Sequence, residues 1–294
     1  MTVPNFPNHI PVMPNEVLSL MDLNPQGKYV DGTCGLGGHA EIILSGLSKN
    51  GFLLGLDVDK DAIGICRKRL NNFKTNFQIE KKSYAEMSNI LETLDIGQVD
   101  GILLDLGLSS LQLDSKSRGF SFKETSHLDM RFDQDSNVDA ANLINKSSES
   151  EIADIIYYYG EERRSRSIAK KIFQNRPINK VDQLVEILKK CTPPHKRNKT
   201  LARVFQSFRI VVNKELDNLS SFLENYLSCL KIGGKIIIIS FHSLEDRIVK
   251  RSFKKSSKEG LIDIITKKPI IASEDERIKN SRSKSAKLRC AVKL

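Results

Sequence analysis

The stretch that most constrains this chain is Tyr29 to His39, which reads YVDGTCGLGGH. A short apolar run ends in Asp31, glycines follow at Gly32, Gly35, Gly37 and Gly38, and Ala40 to Leu47 (AEIILSGL) then carries helical spacing. Strand, glycine-rich turn and helix in that order form the entry to a nucleotide-binding α/β domain, because a Cβ in the turn would collide with a ligand lying flat on the backbone. A second apolar run, Phe52 to Leu56, ends in Asp57. An acid on the tip of the neighbouring strand is placed to accept hydrogen bonds from ribose hydroxyls.

Which nucleotide is bound depends on the turn. The dinucleotide fingerprint requires G-x-G-x-x-G, whereas here Gly35-x-Gly37 is followed by Gly38 and Ala40, without the third glycine. The loop also starts directly from Asp31. A carboxylate there suits a ligand that lacks phosphates and carries a positive centre, as S-adenosylmethionine does on its sulfonium and α-ammonium groups. A nicotinamide-dependent oxidoreductase on the same kind of sheet stays open as the alternative, as does a non-catalytic RNA-binding factor with a relic donor pocket.

Further strands are expected at Phe77 to Glu80 and at Val99 to Leu106, the second nearly all apolar, as a strand buried on both faces should be. Helices are expected at Glu16 to Met21, Asp59 to Leu70 and Ala85 to Leu94. The alternation predicts a doubly wound parallel sheet with ligands at the carboxyl ends of its strands. Between about residues 115 and 209 the strand signal stops. Ser150 to Tyr159, Arg164 to Phe173, Val181 to Lys190 and Leu201 to Leu216 carry helical periodicity instead, which predicts a helical domain inserted after the fourth strand. The sheet resumes at Lys235 to Ser240 (KIIIIS), with Leu261 to Ile265 and Lys287 to Val292 as the last strands. The expected division is therefore 1–114 and 210–294 for the two parts of the sheet domain, and 115–209 for the insertion.

A net charge of +10 favours a polyanionic partner. No apolar run reaches membrane-spanning length, and MTVPNFPNHIPVMPNEV lacks the basic-then-apolar order of a signal peptide. Cys34, Cys66, Cys191, Cys229 and Cys290 are dispersed, with no C-x-x-C; they suggest neither a disulfide framework nor a metal site, and they fit a reducing cytoplasm.

Taken together, DGTCGLGGH, DGILLDLGLSSLQLD, RGFSF…LDMR, YGEER, RVFQSFRIVVNKEL, SFHSLEDRIVKR and NSRSKSAKLR occur in an order that resembles the ribosomal RNA small subunit methyltransferase H family. The match runs from His9 almost to the last residue. The resemblance implies a class I S-adenosylmethionine-dependent methyltransferase (Rossmann-like) sheet with an inserted helical domain for substrate recognition. It further implies methyl transfer to the N4 amine of a cytosine in 16S rRNA, near the P site of the small ribosomal subunit, and it is compatible with a homodimer. Carried over by motif, the donor-binding residues are Gly37, Gly38, His39, Asp57, Tyr84, Asp105 and Gln112. Cys34 stands where the family usually has phenylalanine or another apolar residue, and Tyr84 replaces a common phenylalanine.

The residues themselves speak to the chemistry only in part. Methylating an exocyclic amine needs the amine held near the methyl, acceptors for its hydrogens, and loss of one proton. Asp105 ends the fourth strand, and Ser109 and Ser110 follow it in a tight loop that could line the pocket; the plain alternatives are a cofactor-orienting acid and turn-forming serines. Phe241 and His242 follow the fifth strand and could stack and hydrogen-bond a flipped base. The plain reading there is a helix start, with Ser243 as N-cap and Asp246 three residues on. An acid, Asn or Ser followed by Pro-Pro-aromatic is absent, so the N4 acceptor rests on the resemblance. Methylation at carbon 5 is disfavoured because no cysteine lies near Asp105 in sequence. Arg163, Arg166 and Lys170, then Lys196, Arg197, Lys199 and Arg203, then Arg247, Lys250, Arg251 and Lys254 form basic clusters able to follow an RNA backbone. Phe120 and Phe122 are stacking candidates that more often belong to a core.

Overall fold

Nearly continuous apolar runs build a sheet whose two faces are both covered. The computed structural model describes residues 10–115, 117–123 and 125–294; His9 lies outside them. Its strands are β1 (Lys28–Asp31), β2 (Phe52–Asp57), β3 (Asn76–Lys81), β4 (Val99–Asp105), β5 (Leu230–Ser240), β6 (Ile262–Ile264) and β7 (Lys287–Lys293). They form one seven-stranded sheet in the order β3-β2-β1-β4-β5-β7-β6. β1 to β5 pair in parallel, and β7 runs antiparallel between β5 and β6. Successive residues point to opposite faces. Val30, Leu54, Leu104, Ile236 and Ile238 therefore enter one core, while Tyr29, Leu53, Leu103, Ile237 and Ile239 enter the other.

Helices α1 (Pro14–Met21), α2 (Gly38–Ser45) and α3 (Lys60–Leu70) cover the second of these cores, supplying Val17, Met21, Ile43, Leu44, Ile63, Cys66 and Leu70. Helix α4 (Met87–Thr93) supplies Met87 and Leu91 to the first. The chain divides into two compact units, residues 1–109 with 216–294, and residues 110–215. The second unit is helical: α5 (Ser110–Asp114), α6 (Ala140–Lys146), α7 (Glu149–Tyr158), α8 (Ser165–Gln174), α9 (Val181–Lys190) and α10 (Arg197–Val212). Inside it α10 packs on α6, α7 and α9. Its interior takes Ile152, Ile156, Ile168, Ile172, Leu184, Leu188, Val204 and Phe208.

The RGFSF and LDMR segments are structural parts of this unit. Arg118 is buried and donates from Nη2 to the carbonyls of Arg131 and Phe132 at 3.1 and 2.9 Å. Arg131 makes a two-point contact with Asp129, at 2.8 and 2.9 Å. Phe120 is buried and stacks on Phe132, and Phe122 meets Phe205 edge-on, as the core reading of these rings expects.

Two helices depart from the sequence expectation. The helix expected over Leu201 to Leu216 ends at Val212, and α11 (Glu215–Cys229) is a separate element. The break falls where Lys214 takes a left-handed φ of 50° and the Asn213 side chain donates to the Arg209 and Met130 carbonyls at 2.9 and 2.7 Å. α11 then sends Leu219, Phe222, Leu223 and Tyr226 into the first core. After β5, α12 (Ser243–Lys258) is capped by His242 and not by Ser243. The last helix is α13 (Glu274–Lys279).

Candidate active site

The strand order reverses between β1 and β4, which makes their carboxyl ends the point where doubly wound sheets bind ligands. Three adjacent strands end there in acids: Asp57 on β2, Asp31 on β1 and Asp105 on β4. The glycine-rich loop is pinned between these ends. Gly32 N donates to the Leu103 carbonyl and Cys34 N to the Leu56 carbonyl, both at 2.9 Å. Thr33 Oγ1 accepts from Asp105 N at 2.7 Å. Gly35 and Gly37 sit at φ +48° and +82°, a region costly for residues with a Cβ. A Cβ on Gly37 would also stand 3.0 Å from Cys66 Sγ. Gly37 caps α2 and Gly38 is its first residue. Cys34 is buried in the apolar cluster under the loop; the neighbouring Cys66 thiol, and then burial, push its own thiol well up.

Asp57 orders the loop. Its Oδ2 accepts from Gly35 N at 2.8 Å and its Oδ1 from Asp59 N at 2.9 Å. Burial nevertheless pushes its pKa up to about 6, against the pull of those N–H bonds. Ser109 lies close by, its Cβ 3.8 Å from where a Cβ on Gly35 would stand.

The densest chemistry is on the other side of the loop. His39, the second residue of α2, is only 5% exposed, and its Nε2 stands 3.5 Å from Asp105 Oδ2. That separation is longer than a well-formed hydrogen bond. Neither His39 ring nitrogen has a hydrogen-bond partner, nor has Asp105 Oδ1 or Asp31 Oδ2, and all four atoms are buried. Burial pushes the pKa of Asp31 up to about 7, opposed by His39 and by the Thr33 N–H. Buried polar atoms without partners are costly and call for a polar ligand. Two carboxylates facing one imidazole fit a ligand end that carries positive charge and hydrogen-bond donors. The α-ammonium and sulfonium of S-adenosylmethionine meet that requirement. A pyrophosphate at the same place would face the Asp31 and Asp105 carboxylates, which counts against the nicotinamide alternative.

The aromatic and acceptor-side residues follow. Tyr84 stands beside the start of the loop, its Cβ 3.1 Å from where a Cβ on Gly32 would be, and its ring meets Phe222 edge-on at 5.8 Å. Gly107, in the loop after β4, lies against the Phe241 ring; a Cβ there would come within 2.7 to 3.0 Å of three ring atoms. The ends of β4 and β5 are thus packed together through Gly107 and Phe241.

His242 has a role beyond the one expected from sequence. Its Nδ1 accepts from Glu245 N at 3.4 Å, and Glu245 reaches back through Oε2 to the amides of Phe241 and His242 at 2.8 and 3.3 Å. Oε1 of Glu245 is 3.2 Å from His242 Nε2. The helix start thus holds Nδ1 of the imidazole, while the buried Nε2 has no hydrogen-bond partner. Gln112 belongs to α5 in the second unit and is buried there. Ser110 opens the same helix.

Asp31, Asp57 and Asp105, which end strands expected from the sequence, lie at one edge of the sheet with Ser109 and with Gly37, Gly38, His39 and Tyr84, which were expected from the resemblance. Thr33 and Glu245 were not expected from the sequence. Glu245 was detectable by its capping-box spacing from His242, but the overlapping Ser243–Asp246 pair has the same spacing.

Comparison with known proteins bears on this site. The model of the MraW methylase family matches residues 6–294. A protein named ribosomal RNA small subunit methyltransferase H from Thermosipho africanus is 45% identical over 290 residues, covering 97% of this chain and 98% of its own length. A Thermotoga neapolitana protein of the same name is 45% identical over 289 residues, covering 96% and 95%. Among solved structures, a Clostridium thermocellum protein described as a candidate rRNA-methylase matches with a TM-score of 0.50 at 12% identity, covering 100% of both chains. That last likeness is one of fold.

Proposed function

This chain belongs to the MraW methylase family, and on that footing we propose that it transfers a methyl group from S-adenosylmethionine to the N4 amine of a cytosine in 16S rRNA, near the P site of the small ribosomal subunit. The observation that carries the donor half is the set of four buried, unpartnered polar atoms on Asp31, His39 and Asp105 at the switch point of the sheet. The acceptor half is supported by the shared name of relatives that match the chain almost end to end.

When bound, the donor supplies an electrophilic methyl on a positively charged sulfur. Everything else falls to the chain's own residues. Asp57 would accept hydrogen bonds from the ribose hydroxyls. Asp31 and Asp105 would offset the positive charge of the amino-acid end, with the His39 imidazole 3.5 Å from Asp105. Asp105, at the end of β4 beside the loop, would take the proton that the cytosine amine gives up on methylation. Phe241, braced on Gly107, provides a face for the extruded base, and Ser109 lines the same edge. No described helix is long and apolar enough to cross a membrane, and all five cysteines are free thiols, which supports a cytoplasmic setting.

The test is transfer of labelled methyl from S-adenosylmethionine to small ribosomal subunits that lack the modification. Wild type should label 16S rRNA, and Asp105→Ala should not. Labelling of ribosomal protein, or of nothing while donor binds, would defeat the proposal.

A further inference from the structure

We propose that the outer face of α12 is a docking track for the sugar–phosphate backbone of RNA, leading away from the Phe241–His242 edge of the sheet. This rests on the RNA-methylating reading above and deepens it.

Between Arg247 and Lys258 the sequence RIVKRSFKKSSK places cations at Arg247, Lys250, Arg251, Lys254, Lys255 and Lys258, and no acid. All six are exposed, while Val249, Phe253 and Ser256 face inward. The spacings of three and four put them on one broad face running about 16 Å along the helix. Both acids of α12 are spent at its first turn. Glu245 is buried and holds the amides of Phe241 and His242. Asp246 takes Arg289 Nε at 2.7 Å and Lys287 Nζ at 3.6 Å. Among the described residues, Lys250, Arg251, Lys254, Lys255 and Lys258 carry no ion pair with an acid; the next acid, Glu259, follows the last turn.

Such a face works against the helix that carries it. Like charges at i,i+3 and i,i+4 repel, and only the cations of the last turn gain from the helix dipole. Solubility alone is served by mixed signs. Some basic residues on other elements are matched: Arg69 pairs with Glu41 at 2.6 Å, Lys189 with Glu186 at 2.9 Å and Arg203 with Glu162 at 3.7 Å. An unmatched cationic face on a helix that starts at the candidate acceptor edge is complementary to a polyanion entering that edge. Lysines and arginines without a shaped pocket contact phosphates irrespective of sequence.

The experiment compares Lys250→Gln/Arg251→Gln/Lys254→Gln with a control of equal charge loss at other exposed sites, Lys49→Gln/Lys60→Gln/Lys68→Gln. The affinity of each protein for protein-free 16S rRNA is measured across a salt series. The α12 variant should bind at least about tenfold more weakly, and its slope of log affinity against log salt should be shallower by about 2, from loss of roughly three phosphate contacts. Its S-adenosylmethionine affinity should equal that of wild type, and the control should bind RNA as wild type does. Equal RNA affinity and slope in the α12 variant would overturn the proposal. So would loss of binding to phosphatidylserine vesicles with RNA binding intact, which would assign the face to a membrane. Because RNA binding is read without methyl transfer, a wild-type protein that binds RNA through α12 yet methylates nothing would defeat the functional reading and leave this one standing.

Discussion

Asp31 is where folding and donor binding oppose each other, and the conflict can be measured. Its carboxyl is 1% exposed, accepts one N–H bond of 3.3 Å from Thr33, and leaves Oδ2 without a partner. Burial pushes its pKa to about 7, whereas in the unfolded chain it titrates near the ordinary value of about 3.9. Between those values the folded protein binds more protons than the unfolded one, so stability falls as pH rises through that window and levels off above it. At about 1.4 kcal/mol per unit, the whole window amounts to about 4 kcal/mol, of which roughly 2 to 3 is lost between pH 5 and pH 8. Asp31→Asn cannot ionise and escapes this loss. Thermal unfolding of the donor-free proteins, followed by circular dichroism at pH 5, 6.5 and 8, should show the variant gaining on wild type by about 3 to 5 °C in Tm across that range. Asp57, itself raised to about 6, is common to both proteins and cancels in the difference. A gap in Tm that does not change with pH would refute the claim that Asp31 is buried at a cost in charge.

The same residue sets a pH dependence for the donor. A cationic ligand needs ionised Asp31, so calorimetric affinity for S-adenosylmethionine should rise up to about tenfold per unit as pH approaches 7 and then flatten, while Asp31→Asn shows weaker and nearly pH-independent binding. Asp57→Ala should weaken the donor at least about tenfold and leave 16S rRNA affinity within about threefold, read by calorimetry and filter binding. Gly107→Ala drives a methyl into the Phe241 ring; kcat/KM for RNA should fall at least about tenfold with donor affinity nearly unchanged. His242→Ala removes the α12 cap and should cost about 1 kcal/mol in denaturant unfolding.

Much of the sheet was legible because buried parallel strands are nearly continuous apolar runs, as in VDGILLD and KIIIIS. The acids at strand ends could be read from the same runs, since each terminates one. α11 was hidden by a break that has no glycine or proline to announce it: Lys214 supplies the left-handed turn, and the Asn213 side chain holds it through contacts distant in sequence. α6 is short and depends on its Asp139 cap. At α12 two capping pairs with identical spacing overlap. Burial of Glu245 and the pull of Arg289 on Asp246 decide between them, and neither is local information. The pairing of His39 with Asp105 joins an early helix to the fourth strand, so sequence supplied both residues without the contact.

The most direct test of the account is the identity of the product. Purified protein, S-adenosylmethionine and small ribosomal subunits lacking the modification would be incubated together, and the digested 16S rRNA nucleosides analysed by mass spectrometry. The account predicts a methylated cytidine whose fragmentation places the methyl on N4. Methyl found on carbon 5, on a ribose hydroxyl or on another base would contradict it.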